Sequence, residues 1–162
     1  MAVDITRLQR LVDRMEIQEL VERFVVGLDQ KSFDIDWARS IFTESGRFSF
    51  PNGVHSGVSG MPEFVTITMG RWRGSHHLAG VNLIAIDDDR ARVRGNLIAT
   101  HLHRDENREP FQVGDSYEGE VVRTEEGWRL AHLRFELIWF HGAPPGPSEP
   151  AISGDLEDSC EF

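Results

Sequence analysis

Seven histidines and a scatter of carboxylates carry most of the chemistry that this 162-residue sequence can offer. His76 and His77 stand side by side at the start of a mostly apolar run. In an extended strand neighbours point to opposite faces, so only one of the two can look into a core. Asp29 follows Val21 and Val25 at four-residue steps, which puts a carboxylate on or just past the buried stripe of a helix. A carboxylate against an imidazole fixes the tautomer and raises the basicity of the ring, the arrangement of a general base. His101 and His103 share one strand face and could supply a second acid or base, or chelate Zn²⁺ or Fe²⁺. The hydroxyl of Tyr117 could donate to a developing oxyanion. Each group also has a plainer reading: a polar helix end, a surface or hydrogen-bonded histidine, a core tyrosine.

Metal and covalent chemistry are not expected. Gly95, then five residues, then His101-Leu102-His103 resembles the opening of a cupin metal motif. The glutamate which that motif needs is missing, because Asn107 and Arg108 occupy its two possible places. There is no phosphate-binding glycine-rich loop and no nucleophile elbow of the GxSxG type. Cys160, the one cysteine, lies far from every histidine and excludes an internal disulfide or a cysteine-built zinc site.

The elements that must position these groups are read from periodicity. Asp4 is a plausible cap for a long amphipathic helix over residues 5–28, with Leu8, Leu11, Val12, Met15, Leu20, Val21, Phe24, Val25 and Leu28 on one stripe. Asp36 could cap a short second helix that carries Trp37, Ile41 and Phe42. Residues 47–50 read as a brief strand stopped by Pro51-Asn52-Gly53, and Ser59-Gly60-Met61-Pro62 opens a third helix. Strands are expected over 77–86, from Arg90 to His103, over 112–124 and from Trp128 to Phe140. In the last, Ala131, Leu133, Phe135, Leu137 and Trp139 should share one face. Helices followed by hairpin-linked strands make an α+β fold, three helices packed on a curved antiparallel sheet.

Composition sets the outer limits. The length suits one domain, here residues 1–142, followed by a tail over 143–162 with four prolines and five acids. That tail reads as mobile or as a strap over a neighbour. A net charge of −10 argues against nucleic acid as a partner. No apolar run is long enough to span a membrane, and Met1–Arg10 is too charged for a signal peptide. The reading is a reduced, cytoplasmic protein. One face of the last strand mixes His132, Arg134 and Glu136 with Ile138 and Phe140, a composition that suits a homo-oligomer interface.

Four places together resemble the SnoaL-like domains of the NTF2-like superfamily. They are Phe24-Val25-Val26-Gly27-Leu28-Asp29, then Trp37…Ile41-Phe42-Thr43, then His77 fourteen residues before Ala91, then Tyr117…Arg123-Thr124…Gly127-Trp128-Arg129. The resemblance covers residues 5–142 and implies a cone-shaped α+β barrel. Its relatives include scytalone dehydratase, bile-acid dehydratases, polyketide cyclases, hexachlorocyclohexane dehydrochlorinase and small subunits of ring-hydroxylating dioxygenases. It implies an Asp29–His77 dyad, and for His101 and Tyr117 a place beside it. Phe24, Trp37, Phe42 and Trp72 would line the pocket. It also implies a small apolar cyclic or aromatic ligand, no cofactor, no metal, and a dimer or trimer. Elimination, isomerisation and cyclisation all fit, as does a non-catalytic subunit or binding module. Two departures stand out: Phe24 replaces a tyrosine common in dehydratases, and Val81 stands where an asparagine is often found, with Asn82 one place along and expected to point away.

Overall fold

The computed structural model describes residues 4–50 and 53–146. The proline-rich acidic tail beyond Gly146, with Cys160, lies outside the described residues, as do Pro51 and Asn52 of the expected turn. The chain runs α1 (Ile5–Gln30), α2 (Ile35–Ile41), β1 (Phe42–Phe50), β2 (Gly53–Ser56), a 3₁₀ turn (Val58–Gly60), α3 (Met61–Met69), β3 (Gly74–Ala79), β4 (Leu83–Asp87), β5 (Arg90–Leu102), β6 (Phe111–Thr124) and β7 (Gly127–His141). Three helices cover one face of a single sheet with strand order β2-β1-β7-β6-β5-β3, and β4 shares the outer edge of β5 with β3. The sheet is open and mixed: β1 runs parallel to β7 and every other pair is antiparallel. Among the described residues no helix is long and apolar enough to cross a membrane.

Local chemistry explains the boundaries. The Asp4 carboxylate accepts the backbone N–H groups of Thr6 and Arg7 and starts α1. The helix ends where Lys31 turns left-handed and its N–H returns to the Gly27 carbonyl. Asp34, not Asp36, caps α2, because its side chain reaches the Trp37 N–H at 2.7 Å. The expected run 77–86 is two strands, broken at residues 80–82. The buried half of α1 is its second half: Ile17, Leu20, Val21, Phe24, Val25 and Leu28 are buried, whereas Leu8, Leu11, Val12 and Met15 are exposed.

An aromatic cluster forms the core under the helices. Phe24 packs edge-on against Phe48 at 5.2 Å and Phe42 at 5.9 Å, and lies 6.2 Å from Phe135. Gly27 lets Trp37 approach α1, since a Cβ there would collide with the indole nitrogen.

Two bulges shape β7. Glu120 pairs with His132 but Val121 with Leu130, and Asp115 pairs with Leu137 but Gly114 with Trp139. Ala131 and Ile138 are therefore the extra residues. The strict alternation expected from the sequence fails at both: Leu130, Leu133, Phe135 and Leu137 keep the inner face, while Ala131 leaves it and Trp139 crosses to lie over Gly114.

Far from His77, the sheet is tied to α1 by an ion pair. Buried Asp13 meets Arg123 at 2.8 Å and accepts the Trp128 indole N–H at 3.3 Å. Arg123 also lies 4.3 Å over the Trp128 ring. Burial alone would raise the Asp13 carboxyl, but bonds from Arg123, Trp128 and Gln9 bring it below its ordinary value. Asp13→Ala is expected to lower unfolding stability by about 1–3 kcal/mol in urea titrations. The contribution is present above the ordinary carboxylate range and disappears as pH falls through the depressed value, so the two proteins should converge only in strong acid.

Candidate active site

The end of α1 delivers a carboxylate to the free edge of the sheet. Asp29 Oδ2 accepts the backbone N–H of His77 at 2.9 Å. Its Oδ1 lies 2.6 Å from His77 Nδ1 and accepts the Ser75 hydroxyl at 3.0 Å. A carboxylate only accepts, so Nδ1 carries the proton and Nε2 keeps its lone pair on the far side of the ring. Of the adjacent histidines it is His77 that turns inward, with only 4% of its side chain exposed, while His76 is exposed. Burial, the larger influence, pushes the His77 imidazole below its ordinary value even though Asp29 pulls it up.

The ring lines a cavity of about 270 Å³ between the helices and the inner face of the sheet. Leu28 of α1, Thr68 and Met69 of α3, Leu97 and Ala99 of β5, and Val113 of β6 contribute to its wall. Trp72 forms another part of the wall: it stacks on His101 at 4.7 Å and on Phe111 at 5.7 Å. Lys31 Nζ holds the Trp72 carbonyl at 2.7 Å, so the turn that ends α1 also anchors this indole. Pro144 closes one side, in a segment whose Pro145 and Gly146 carbonyls accept Arg71. Thr68 donates its hydroxyl to the Phe64 carbonyl, which leaves His77, His101 and Asp115 as the polar groups facing the space. A larger hollow of about 470 Å³ lies on the outer face, lined by charged residues such as Arg92, Arg94, Glu118 and Glu120, and is separated from His77 by the sheet.

The residues singled out from the sequence divide into three groups. His77, His101 and Trp72 reach the cavity, and Asp29 stands behind His77 as its partner. His101 lies 5.3 Å from His77, ring to ring, and burial above all, with the neighbouring His77, Lys31 and His103, pushes it down to about 3. Phe24, Trp37 and Phe42 do not line the cavity, because the aromatic core takes all three. Tyr117 is buried and turned inward one rung further along, with its hydroxyl donating to Asn82 Oδ1. Asn82 thus points in, against the strand-alternation expectation, because residues 80–82 belong to no strand; its amide donates to Gln18 on α1. His103 is buried against Trp72 with neither ring nitrogen bonded.

Asp115 is the residue that sequence reasoning missed. It shares its β6 face with Phe111, Val113 and Tyr117, so an acid between inward apolar residues was the available signal. Its Oδ1 is buried without a hydrogen-bond partner, and burial raises its carboxyl to about 6. Among the described residues no group of three or more His, Cys, Asp or Glu is placed to hold a metal ion.

A family model described as a SnoaL-like domain matches residues 9–134. An uncharacterized protein of Mycobacterium tuberculosis, Rv2910c, is 25% identical over 120 residues, which is 73% of this chain and 80% of that one. The structure of a proposed aromatic ring hydroxylase from Novosphingobium aromaticivorans is similar at a TM-score of 0.73 with 26% identity, covering 82% of this chain and 94% of that one. A hexachlorocyclohexane dehydrochlorinase, LinA type 3, from Novosphingobium barchaimii superimposes at a TM-score of 0.75 with 20% identity over 86% and 99% of the two chains.

The first expected outcome concerns protonation. Nitrogen-detected NMR of the imidazoles should show His101 neutral, as one unchanging tautomer, from pH 8 down to about pH 4. A ring that charges between pH 5 and 7 would mean that water reaches it freely.

Proposed function

The chain belongs to the SnoaL-like family, and from that premise we propose that it is a cofactor-free enzyme whose general base is His77, oriented by Asp29. The substrate is small, largely apolar and cyclic or aromatic. His77 Nε2 removes a proton next to a carbonyl or a leaving group, and the outcome is elimination, isomerisation or ring closure. The observation that carries this reading is the 2.6 Å contact between Asp29 and His77 Nδ1, with the other side of the same ring facing a largely apolar cavity whose other polar side chains are His101 and Asp115. Desolvation favours the reaction in two ways: it keeps the imidazole neutral and ready to accept, and it strengthens the attraction of Asp29 for the imidazolium that forms.

A second reading is a non-catalytic subunit or binding module. The open cavity weighs against it, since Trp72 forms a wall rather than a plug and Phe24 lies in the core.

Proton exchange in D₂O, followed by NMR over a panel of small cyclic ketones, tests the proposal whichever product the full reaction gives. His77→Ala is expected to slow the exchange by about 10²–10⁴-fold. Asp29→Asn should also be slow, because its amide N–H can face Nδ1 and force the wrong tautomer. On the acid side the rate should fall as His77 protonates, at a value below the ordinary 6.5 of histidine. Equal rates for wild type and His77→Ala would overturn the assignment.

We also propose that copies of the chain associate through the outer face of the sheet as a dimer or trimer. Leu78 pairs with Ile98 and both are exposed, beside Trp139, while Arg92, Arg94, Glu118 and Glu120 supply opposite charges further along. Light scattering should give a multiple of 18.4 kDa, and a monomer mass would refute this.

A further inference from the structure

Asp115 stands on the cavity wall with no task in the dyad. Its neighbours across the sheet are Leu97 on β5 and Leu137 on β7, both on the same inner face. The bulge in β7 directly beside it re-aims that strand as it passes Asp115. One carboxyl oxygen is buried and unpartnered, and neither arginine nor lysine is among the residues that line the cavity. His77 sits opposite Ala99, two strands away and one inward position along. Strand spacing puts the two Cα atoms on the order of 12 Å apart. Both side chains face the same space without touching, so a molecule in the cavity lies between them.

An ionised carboxylate in such a wall has no cation to compensate the water it has lost. The titratable groups that face it from the other elements are His77 on β3 and His101 on β5, with Asp29 behind His77; α1, α3, β1 and β7 contribute only uncharged side chains to this cavity. Burial holds both imidazoles below their ordinary value. Asp115 instead gains a proton near pH 6, and a neutral carboxyl has one O–H to donate.

We propose that Asp115 is the acid of the site, the donor that binds the carbonyl oxygen of a neutral cyclic ketone or enone while His77 takes the proton from the carbon beside that carbonyl. The assignment of substrate class rests on the dyad reading; the donor role of Asp115 does not. In the step, the C–H bond breaks and its proton goes to His77 Nε2. The electron pair forms the enol double bond, and the carbonyl π pair moves to the oxygen that Asp115 holds. A negative charge develops there, where a preorganised donor in an apolar wall is most effective. Carboxylate-bearing substrates are disfavoured, since no lining cation would receive them.

Binding of 1-tetralone, a bicyclic ketone, and of tetralin, the same skeleton without the oxygen, separates the possibilities by calorimetry. In wild-type protein the affinity for 1-tetralone should fall about five- to tenfold between pH 5 and pH 8, the worth of one hydrogen bond. Tetralin should bind equally at both. Asp115→Asn, which donates at any pH, should bind 1-tetralone without pH dependence, and Asp115→Ala should bind it weakly throughout. His77→Ala should retain the wild-type pH profile, so a failed exchange assay with this profile intact would refute the base and spare the donor. A flat wild-type profile, or no binding of 1-tetralone at pH 5, overturns the proposal and needs no variant to do so.

Discussion

One carboxylate at the end of one helix organises the site. Asp29 accepts three donors, two of them side chains and one the backbone N–H of His77. That N–H belongs to an edge strand and has no ladder partner, so the bond that orients the imidazole also covers an exposed edge. Asp29 is the last but one residue of α1, so the helix itself sets the height of the carboxylate against β3. Lys31 provides the stop through its left-handed backbone, and its ammonium fastens the Trp72 carbonyl. A single turn of chain therefore sets the position of the dyad and of the indole that forms the cavity wall.

The electrostatics follow from what is missing around these groups. With no lining cation and few polar atoms, burial dominates: it moves histidines down and an aspartate up, which brings His77, His101 and Asp115 all towards their neutral forms. A neutral imidazole across the cavity from a neutral carboxyl is a base and an acid together at the same pH, a division that two exposed groups of these types would reverse. Removal of water is sufficient to create this pair.

Much of this was legible in the sequence where one local rule acted alone. The second half of α1 and the long strands from Arg90 to Phe140 follow from periodicity, whereas alternation says only that one of His76 and His77 turns inward and it is the resemblance that points to His77. The failures occur where two rules compete. Leu8, Leu11, Val12 and Met15 recur at helical steps among themselves, but the five-residue step from Met15 to Leu20 puts them on the face of α1 opposite Ile17, Leu20, Phe24 and Leu28, and that face is exposed. Two bulges in β7 turn Ala131 and Trp139 out of a face that alternation assigns to them. Asn82 turns in because the chain leaves β3 before it. Phe24, Trp37 and Phe42 are aromatic enough for either wall or core, and only their packing on Phe48 and Phe135 decides between the two. Asp115 escaped notice because a lone acid in a strand ordinarily signals the solvent face.

The two ends of the sheet show why one fold can carry such different carboxylates. Asp13 and Asp115 both face inward from elements of the same core; Asp13 is buried whole, and Asp115 has one carboxyl oxygen buried. Asp13 has Arg123 at 2.8 Å and an indole N–H, so it stays charged and braces α1 against β6 and β7. Asp115 has two leucines across the sheet and an unpartnered oxygen, so burial raises its carboxyl to about 6, and it faces an open space. A buried acid with its countercharge stabilises structure, whereas a buried acid without one is a cost to the fold. That cost is recovered only when a ligand supplies the missing acceptor. The cavity is therefore a part of the core that the sequence leaves incomplete, and its incompleteness specifies a neutral hydrogen-bond acceptor placed between Asp115 and His77.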